Sequence, residues 1–208
     1  GLFYINKDNE FKFFQTEFSD LIINSLTISQ DNLFFISTDI GVKIYSFYEE
    51  EGILTKEQDV VGIPQVPVKN ICKISEDKFV VATMQSGLFL ISEIDGFYQC
   101  DNSYFDNLGS DLFIRDIDFY DNYLYISTFQ QGVFKASIRR NEVRIVEKYN
   151  EYSGLKTNNV NSLFVDRESV LWIGTYGKGL VSKANDYFSF YLRDRETPKP
   201  YSFIVVNG

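Results

Sequence analysis

The chain has 208 residues, a formal net charge of −9, 20 Phe, 14 Tyr and no His. An acidic chain without a Lys/Arg cluster is a poor partner for nucleic acid or an anionic membrane surface, because phosphate neutralisation supplies most of that affinity. The missing His removes Ser-His-Asp triads, His acid–base catalysis and His metal ligands.

No stretch carries a sustained helical apolar face, and no run of 18 apolar residues could form a membrane helix. Short apolar runs rich in aromatic and β-branched residues, punctuated by Asn, Asp, Gly and Ser, predict strands throughout. Gly1-Leu2-Phe3-Tyr4-Ile5 matches Gly87-Leu88-Phe89-Leu90-Ile91 and reads as a third strand of a repeat, with Phe11 to Gln15 as its fourth. The chain opens mid-repeat without a signal peptide, so it is expected to be part of something longer.

Repeats follow in order. A Thr ends an apolar strand at Thr38, Thr83, Thr128 and Thr175, at intervals of 45, 45 and 47 residues. A small residue precedes each one (Ser37, Ala82, Ser127, Gly174) and a Gly follows each (Gly41, Gly87, Gly132, Gly179) before the next apolar strand. Upstream, Leu26, Cys72, Ile117 and Leu163 align as one column of the first strand, and Ile28, Ile74, Phe119 and Val165 as another. Leu54 to Val60, Phe97 to Asn102, Val143 to Tyr149 and Tyr187 to Leu192 supply fourth strands.

Four strands every 45 residues or so is the size of a β-propeller blade. A lone blade cannot cover either face, and blades packed radially bury each other's faces. The small residue before each Thr is where neighbouring blades should approach most closely. The expected fold is an all-β, partial β-propeller. Its segments are the outer half of a blade at 1–18, blades at 19–62, 63–107, 108–152 and 153–198, and the first strand of a further blade at 199–208, at Tyr201 to Val206. If the two partial blades joined, the resulting blade would lack its second strand, so a larger propeller, cut at both ends, is expected. Prolines at Ile63-Pro64-Gln65-Val66-Pro67 and Thr197-Pro198-Lys199-Pro200 fall between blades, where a missing N–H is tolerated.

At Leu155-Lys156-Thr157-Asn158-Asn159-Val160 through Leu171-Trp172-Ile173-Gly174-Thr175-Tyr176-Gly177-Lys178-Gly179-Leu180, the chain resembles the two-component regulator propeller repeat. Lys156 stands where that repeat usually has Pro, and Phe35, Val80 and Tyr125 replace its Trp in the other copies. The resemblance implies a periplasmic sensor region of a hybrid two-component histidine kinase, cut from a seven-bladed propeller and responsive to carbohydrate. Any kinase would lie in other sequence of the same longer chain. The same repeats in exported, secretion-associated propellers leave a protein-docking scaffold as the alternative.

Chemistry is sparse. Cys72 and Cys100 make neither a disulfide framework nor a thiolate zinc site. They are expected on the first and fourth strands of one blade, about 14 Å apart at about 4.8 Å per strand, as free, mostly buried thiols. The acidic run Glu49-Glu50-Glu51 and the Arg139-Arg140 pair read as solvated turns, not metal or phosphate sites. Gly177 and Gly179 read as turn glycines with positive φ. Asp116 and Asp118, two apart on one strand, leave a carboxylate-based carbohydrate-active enzyme as a third reading, against plain solvation in a wet channel. Their columns are matched to Ser25 or Ile71, and to Thr27 or Lys73.

The favoured reading is a non-catalytic binding module with no cofactor and no metal. Its candidate residues lie on the rim formed by the loops between second and third strands and between blades: Asp39, Gln85, Gln130, Gln131, Asn158, Asn159, Tyr176 and Lys178. Amides and a Tyr ring suit sugar hydroxyls and faces. Expected partners are an oligosaccharide or small molecule, the other domains of the longer chain, and further copies of this chain through exposed blade faces.

Overall fold

A computed structural model describes residues 2–14, 18, 20–29, 31–48, 51–108, 112–139, 142–185 and 187–191. The expected strand at Tyr201 to Val206, the Thr197-to-Pro200 segment, Gln15, Glu49, Glu50, Arg140 and Leu192 lie outside the described residues. The chain divides into two compact units, Gly1–Ser103 and Tyr104–Gly208.

In the first unit, β1 (Phe3–Ile5) and β2 (Phe11–Phe13) form a two-stranded antiparallel sheet. Next come β3 (Ile23–Ile28), β4 (Leu33–Thr38), β5 (Gly41–Tyr48) and β6 (Ile53–Asp59), in the sheet order β3-β4-β5-β6. The last sheet holds β7 (Val68–Lys73), β8 (Lys78–Thr83), β9 (Leu88–Ile94) and β10 (Phe97–Asp101), again in sequence order. The second unit repeats the plan twice. One sheet holds β11 (Ile114–Tyr120), β12 (Tyr123–Thr128), β13 (Gly132–Arg139) and β14 (Glu142–Tyr149), and the other β15 (Val160–Val165), β16 (Leu171–Thr175), β17 (Gly179–Ala184) and β18 (Tyr187–Tyr191). These are antiparallel meanders of propeller-blade type, as the repeat predicts. Among the described residues, 3-10 turns at Ser103–Leu108 and Glu151–Ser153 were not foreseen.

The recurrent Thr and Gly have one physical cause. Each Thr hydroxyl donates to the carbonyl of the Gly that restarts the chain: Thr38 to Gly41 at 3.0 Å, Thr83 to Gly87 at 2.8 Å, Thr128 to Gly132 at 2.8 Å and Thr175 to Gly179 at 2.6 Å. All four Thr are at most 1% exposed, so the hydroxyl needs this partner. The glycines have φ of 107°, 79°, 84° and 80°, where side chains are disfavoured. At Gly132 a Cβ would also lie 2.1 Å from the Tyr149 carbonyl oxygen.

Within each unit, one blade packs its strand-two face on the next blade. In the first, Phe35 stacks on Phe79 at 4.1 Å between ring centroids, inside a core that includes Ile44, Val60, Val81 and Ile91. In the second, Tyr125, Val133 and Tyr149 pack with Leu163, Leu171 and Ile173. Side chains two apart share a face, so the small residues Ser37 and Ser127 point the same way as Phe35 and Tyr125, toward the next blade. A third cluster, Phe18, Ile36 and Tyr45 with Leu2 packed on it, covers the opposite face of the β3–β6 sheet.

Pairing register corrects the column alignment in the second blade. Ile71, not Cys72, faces Val81, as Leu26, Ile117 and Leu163 face Ile36, Ile126 and Ile173. Likewise Lys73, not Ile74, falls in the column of Ile28, Phe119 and Val165. The slip arises because the β11–β12 turn is one residue shorter than its counterparts, and a one-residue shift exchanges the two faces of a strand. Asp116 therefore shares its column with Ser25, Asn70 and Ser162, and Asp118 with Thr27, Cys72 and Phe164. Each first strand also carries a bulge at the same place, at Asn24, Lys69, Arg115 and Asn161. Cys72 and Cys100 form no disulfide and lie on β7 and β10, the two edges of one sheet, but both are half-buried rather than mostly buried.

Candidate functional site

The rim residues of the second unit sit in the turns after β12 and β16 and in the segment leading into β15. The Glu151–Ser153 turn is capped on one side by Asn150 and closed on the other by Gly154 at φ 103°. That turn delivers Asn158 and Asn159 to the rim, where backbone N–H groups bond to their side-chain oxygens. Asn159 Oδ1 accepts from the Gln130 N–H at 2.9 Å, and the Asn159 carbonyl accepts from the Tyr176 N–H at 2.9 Å. Asn158 accepts from the Glu151 N–H at 2.9 Å and donates to the Glu151 carboxylate at 3.0 Å, while its carbonyl accepts from Gly132 N–H at 2.9 Å. These two residues clasp adjacent blades, with both side-chain oxygens and both carbonyls taken by hydrogen bonds within the protein.

What the rim presents to solvent is different. Tyr176 is exposed and meets Phe129 edge-on at 6.4 Å, and Phe129 meets the exposed Phe113 at 6.5 Å. The Arg115 guanidinium lies 5.9 Å from the Phe129 ring centroid. Gln130, at φ 80°, and Lys178 are exposed beside them, and Gln131 is half-buried. The structure thus gathers Gln130, Asn158, Asn159 and Tyr176, and adds Phe113 and Phe129, which the sequence reading did not single out. Their signal was available: an aromatic follows Thr128 and Thr175 directly.

Asp39 and Gln85 belong to the first unit. Asp39 is committed to the segment leading into β3: its carboxylate accepts from the Ile22 N–H at 3.1 Å and its N–H donates to the Ile22 carbonyl at 3.1 Å. Gln85 is exposed in the β8–β9 turn.

The carboxylate pair has a structural role. Asp116 Oδ2 accepts from the Leu163 N–H at 2.8 Å and Asp118 Oδ2 from the Val165 N–H at 2.7 Å, both on the next blade. Their other oxygens accept from Ile117 N–H at 2.9 Å and Phe119 N–H at 2.8 Å. Burial pushes the Asp118 carboxyl above its ordinary value, against the pull of its bonds to Val165 and Phe119. β15 is an edge strand, and these side chains satisfy N–H groups that no strand pairs. In the first unit the same edge is latched by donors: Asn24 Nδ2 to the Val68 carbonyl at 2.8 Å and Thr27 Oγ1 to the Ile71 carbonyl at 2.6 Å. Two carboxylates already filled by backbone donors are poorly placed to act as acid and nucleophile. Among the described residues no group of three or more His, Cys, Asp or Glu could hold a metal.

The sequence reading also missed a cavity of about 390 Å3 at the opposite end of the second unit. Its trace lies in matched strand positions, where Ile44 and Ile91 of the first unit become Lys135 and Lys183.

Comparison with known proteins agrees with this geometry. Residues 154–177, from the Gly154 cap into the β16–β17 turn, match the family model described as two component regulator propeller. Histidine kinase P4 of Formosa agariphila is 23% identical over 161 residues, which is 74% of this chain and 12% of the kinase. Among solved structures, the extracellular domain of a proposed one component system of B. thetaiotaomicron superposes with a TM-score of 0.63 at 13% identity, over 87% of this chain and 23% of that one. The extracellular domain of a proposed hybrid two component system of the same organism gives 0.55 at 17% identity, over 93% and 30%. The chain therefore spans less than a third of the length of these relatives, and at such identities the superpositions speak to fold. The fold is a β-propeller, and the blade β15–β18 carries the two component regulator propeller repeat.

Proposed function

We propose that this chain is a non-catalytic, exported sensor segment of a two-component signalling protein, and that it responds to carbohydrate. The observation that carries the reading is the match of residues 154–177 to the two component regulator propeller, seated on the segment that builds the rim. The likeness to histidine kinase P4 and to extracellular domains of signalling proteins supports it. No helix among the described residues is long and apolar enough to cross a membrane. The ligand surface in this reading is the exposed aromatic edge of Phe113, Phe129 and Tyr176 with Gln130, Gln131 and Lys178, suited to stacking a sugar face and bonding its hydroxyls. The kinase and its phosphoryl chemistry belong to other domains of the same longer chain.

The scaffold reading draws on one specific observation. Phe11 and Phe13 on β2 are 63% and 68% exposed, and each ring lies 5.6 Å from Phe3. An exposed aromatic patch of this kind marks a protein contact surface, either another segment of the longer chain or a second copy.

The test is a thermal-shift series with an oligosaccharide panel on the chain and on the full-length protein that contains it. A ligand at about 100 times its Kd stabilises by about 2.7 kcal/mol. A glycan that shifts both, with the shift lost in Tyr176→Ala, is the expected result. No shift with either protein would end the carbohydrate reading and leave the scaffold.

A further inference from the structure

Two buried polar atoms are left over on the far face of the β15–β18 sheet. Leu163, Val165, Leu171 and Ile173 pack into the seam with the preceding blade. Strand alternation turns Ser162 and Trp172 to the opposite face, and the pairing of β15 with β16 and of β16 with β17 sets Gly174 and Leu180 beside them. Tyr191 lies on that face as well, half exposed, with its ring 5.7 Å from Trp172. Asn161, at the bulge of β15, is 7% exposed and Ser162 is 1% exposed. Asn161 Nδ2 and Ser162 Oγ have no hydrogen-bond partner among the described residues. Polar atoms this deeply buried normally have one.

Matched positions show what such atoms take. Asn24 stands at the bulge of β3, and its Nδ2 donates across the seam to the Val68 carbonyl at 2.8 Å. Asp116 shares the column of Ser162, and its Oδ2 accepts from the Leu163 N–H at 2.8 Å. In both cases the partner is the backbone of the first strand of the following blade. Within its own sheet Ser162 lacks the alternative open to Ser25. The Ser25 and Ser37 hydroxyls meet at 2.6 Å, and Gly174 stands in the column of Ser37. The Asn161 amide is engaged from behind: its Oδ1 accepts from Arg115 of the preceding blade at 3.4 Å, and Nδ2 is the branch left for a following one.

We propose that this face is the docking site of residues 201–206, the first strand of a further blade, with Asn161 Nδ2 donating to the Tyr201 carbonyl and Ser162 Oγ accepting from the Ile204 N–H. The chain length fits. The return from an outermost to an innermost strand takes 9 residues from Asp59 to Val68 and 11 from Tyr149 to Val160, and Tyr191 to Tyr201 is 10. The side chains fit as well. In this register Ile204 takes the column of Ile71 and Leu163, and Val206 that of Val165, positions at most 6% exposed where they face the preceding blade. A one-residue slip would exchange the faces of the strand and turn both side chains away from Trp172. The docking does not rest on the sensing reading, since it concerns a blade face and not the rim.

Amide hydrogen exchange on the full chain tests it. Amides of residues 201–206 should exchange at least about tenfold more slowly than in an unfolded segment, equally at low and high protein concentration. Asn161→Asp keeps the acceptor for Arg115 and removes only the donor. It should speed exchange in 201–206 by about fivefold or more, with β16 and β17 unchanged. Ile204→Asp lies outside the described sheets and should release the segment, moving the emission of Trp172, the sole Trp, to longer wavelength. A peptide of residues 199–208 added to the Ile204→Asp protein should bind one to one and restore the parent emission, and a scrambled peptide should not. Unprotected amides in 201–206 of the parent, protection unchanged in Asn161→Asp, or a peptide that leaves the emission unmoved would each overturn the proposal. Protection that rises with concentration alongside a dimer in sedimentation would overturn it too, and would give the face to a second copy.

Discussion

Replacing each repeat Thr by Val tests whether the Thr-to-Gly hydrogen bond is what the repeat preserves. Val has the same shape and higher strand preference, so a loss of stability reports the hydroxyl alone. The four sites do not carry equal loads. Thr128 and Thr175 each donate one bond, to Gly132 and Gly179. Thr38 and Thr83 also accept, from Ile40 N–H at 3.2 Å and Ser86 N–H at 3.0 Å. Removing the hydroxyl donor to a buried carbonyl costs about 1–2 kcal/mol, and losing the second bond raises that to about 2–3 kcal/mol. For a chain of this length each kcal/mol moves the melting temperature by about 2–4 °C. Thr128→Val and Thr175→Val should therefore melt about 2–8 °C lower, and Thr38→Val and Thr83→Val about 4–12 °C lower. Thermal unfolding followed by circular dichroism reads both groups. Melting temperatures within error of the parent, or the larger losses at Thr128 and Thr175, would refute the assignment.

Asp118→Ala removes the acceptor of the Val165 N–H and should cost about 1–2 kcal/mol, the bond's worth less the relief of a buried carboxylate. Amide exchange at Val165 should quicken, and protection unchanged there would contradict the bond. The Asp166 carboxylate accepts from the Trp172 indole N–H at 2.7 Å, and that bond and two backbone N–H groups outweigh desolvation to hold its carboxyl below the ordinary 3.8. Its folded pKa is depressed, so its contribution is fully present above the ordinary 3.8 and is lost as pH falls from there through the folded value. Emission of Trp172, the sole Trp, should shift in that window and should lose the shift in Asp166→Asn. Phe11→Lys with Phe13→Lys should reduce self-association in sedimentation at high concentration, and a parent already monomeric there would remove the apolar-patch argument. Burial pushes the Cys100 thiol up to about 12, so it should react with a disulfide reagent far more slowly in the native than in the denatured chain. Equal rates would show that the site is open.

The blades were legible because their signals are local and periodic. A buried Thr, a small neighbour and a Gly at positive φ are imposed by one loop geometry, and loop geometry repeats. The strand ends were legible to within a residue or so, as with Ile53–Asp59 against the expected Leu54 to Val60. The column slip at Cys72 was not avoidable by spacing, since a turn length is not written in the apolar pattern. For the rim residues Asn158 and Asn159 the sequence shows the residue type but not the bonding: a surface Asn can face solvent or close a turn, and only coordinates show the bond from Gln130 N–H to Asn159. Lys135 and Lys183 drew no reading from the sequence, because their register partners, Tyr125 and Leu171, lie across the sheet rather than along the chain.

The open edge of each innermost strand offers a carbonyl and an N–H pointing the same way at almost the same place. Thr27 takes the carbonyl of Ile71 at one seam, and Asp118 takes the N–H of Val165 at the other, from equivalent positions. An ambivalent edge of this kind lets a donor be exchanged for an acceptor over evolutionary time without loss of the latch. A pair of acids can then stand side by side on one strand as latches, in the spacing a hydrolase would also use, because each answers a backbone N–H of the neighbouring blade.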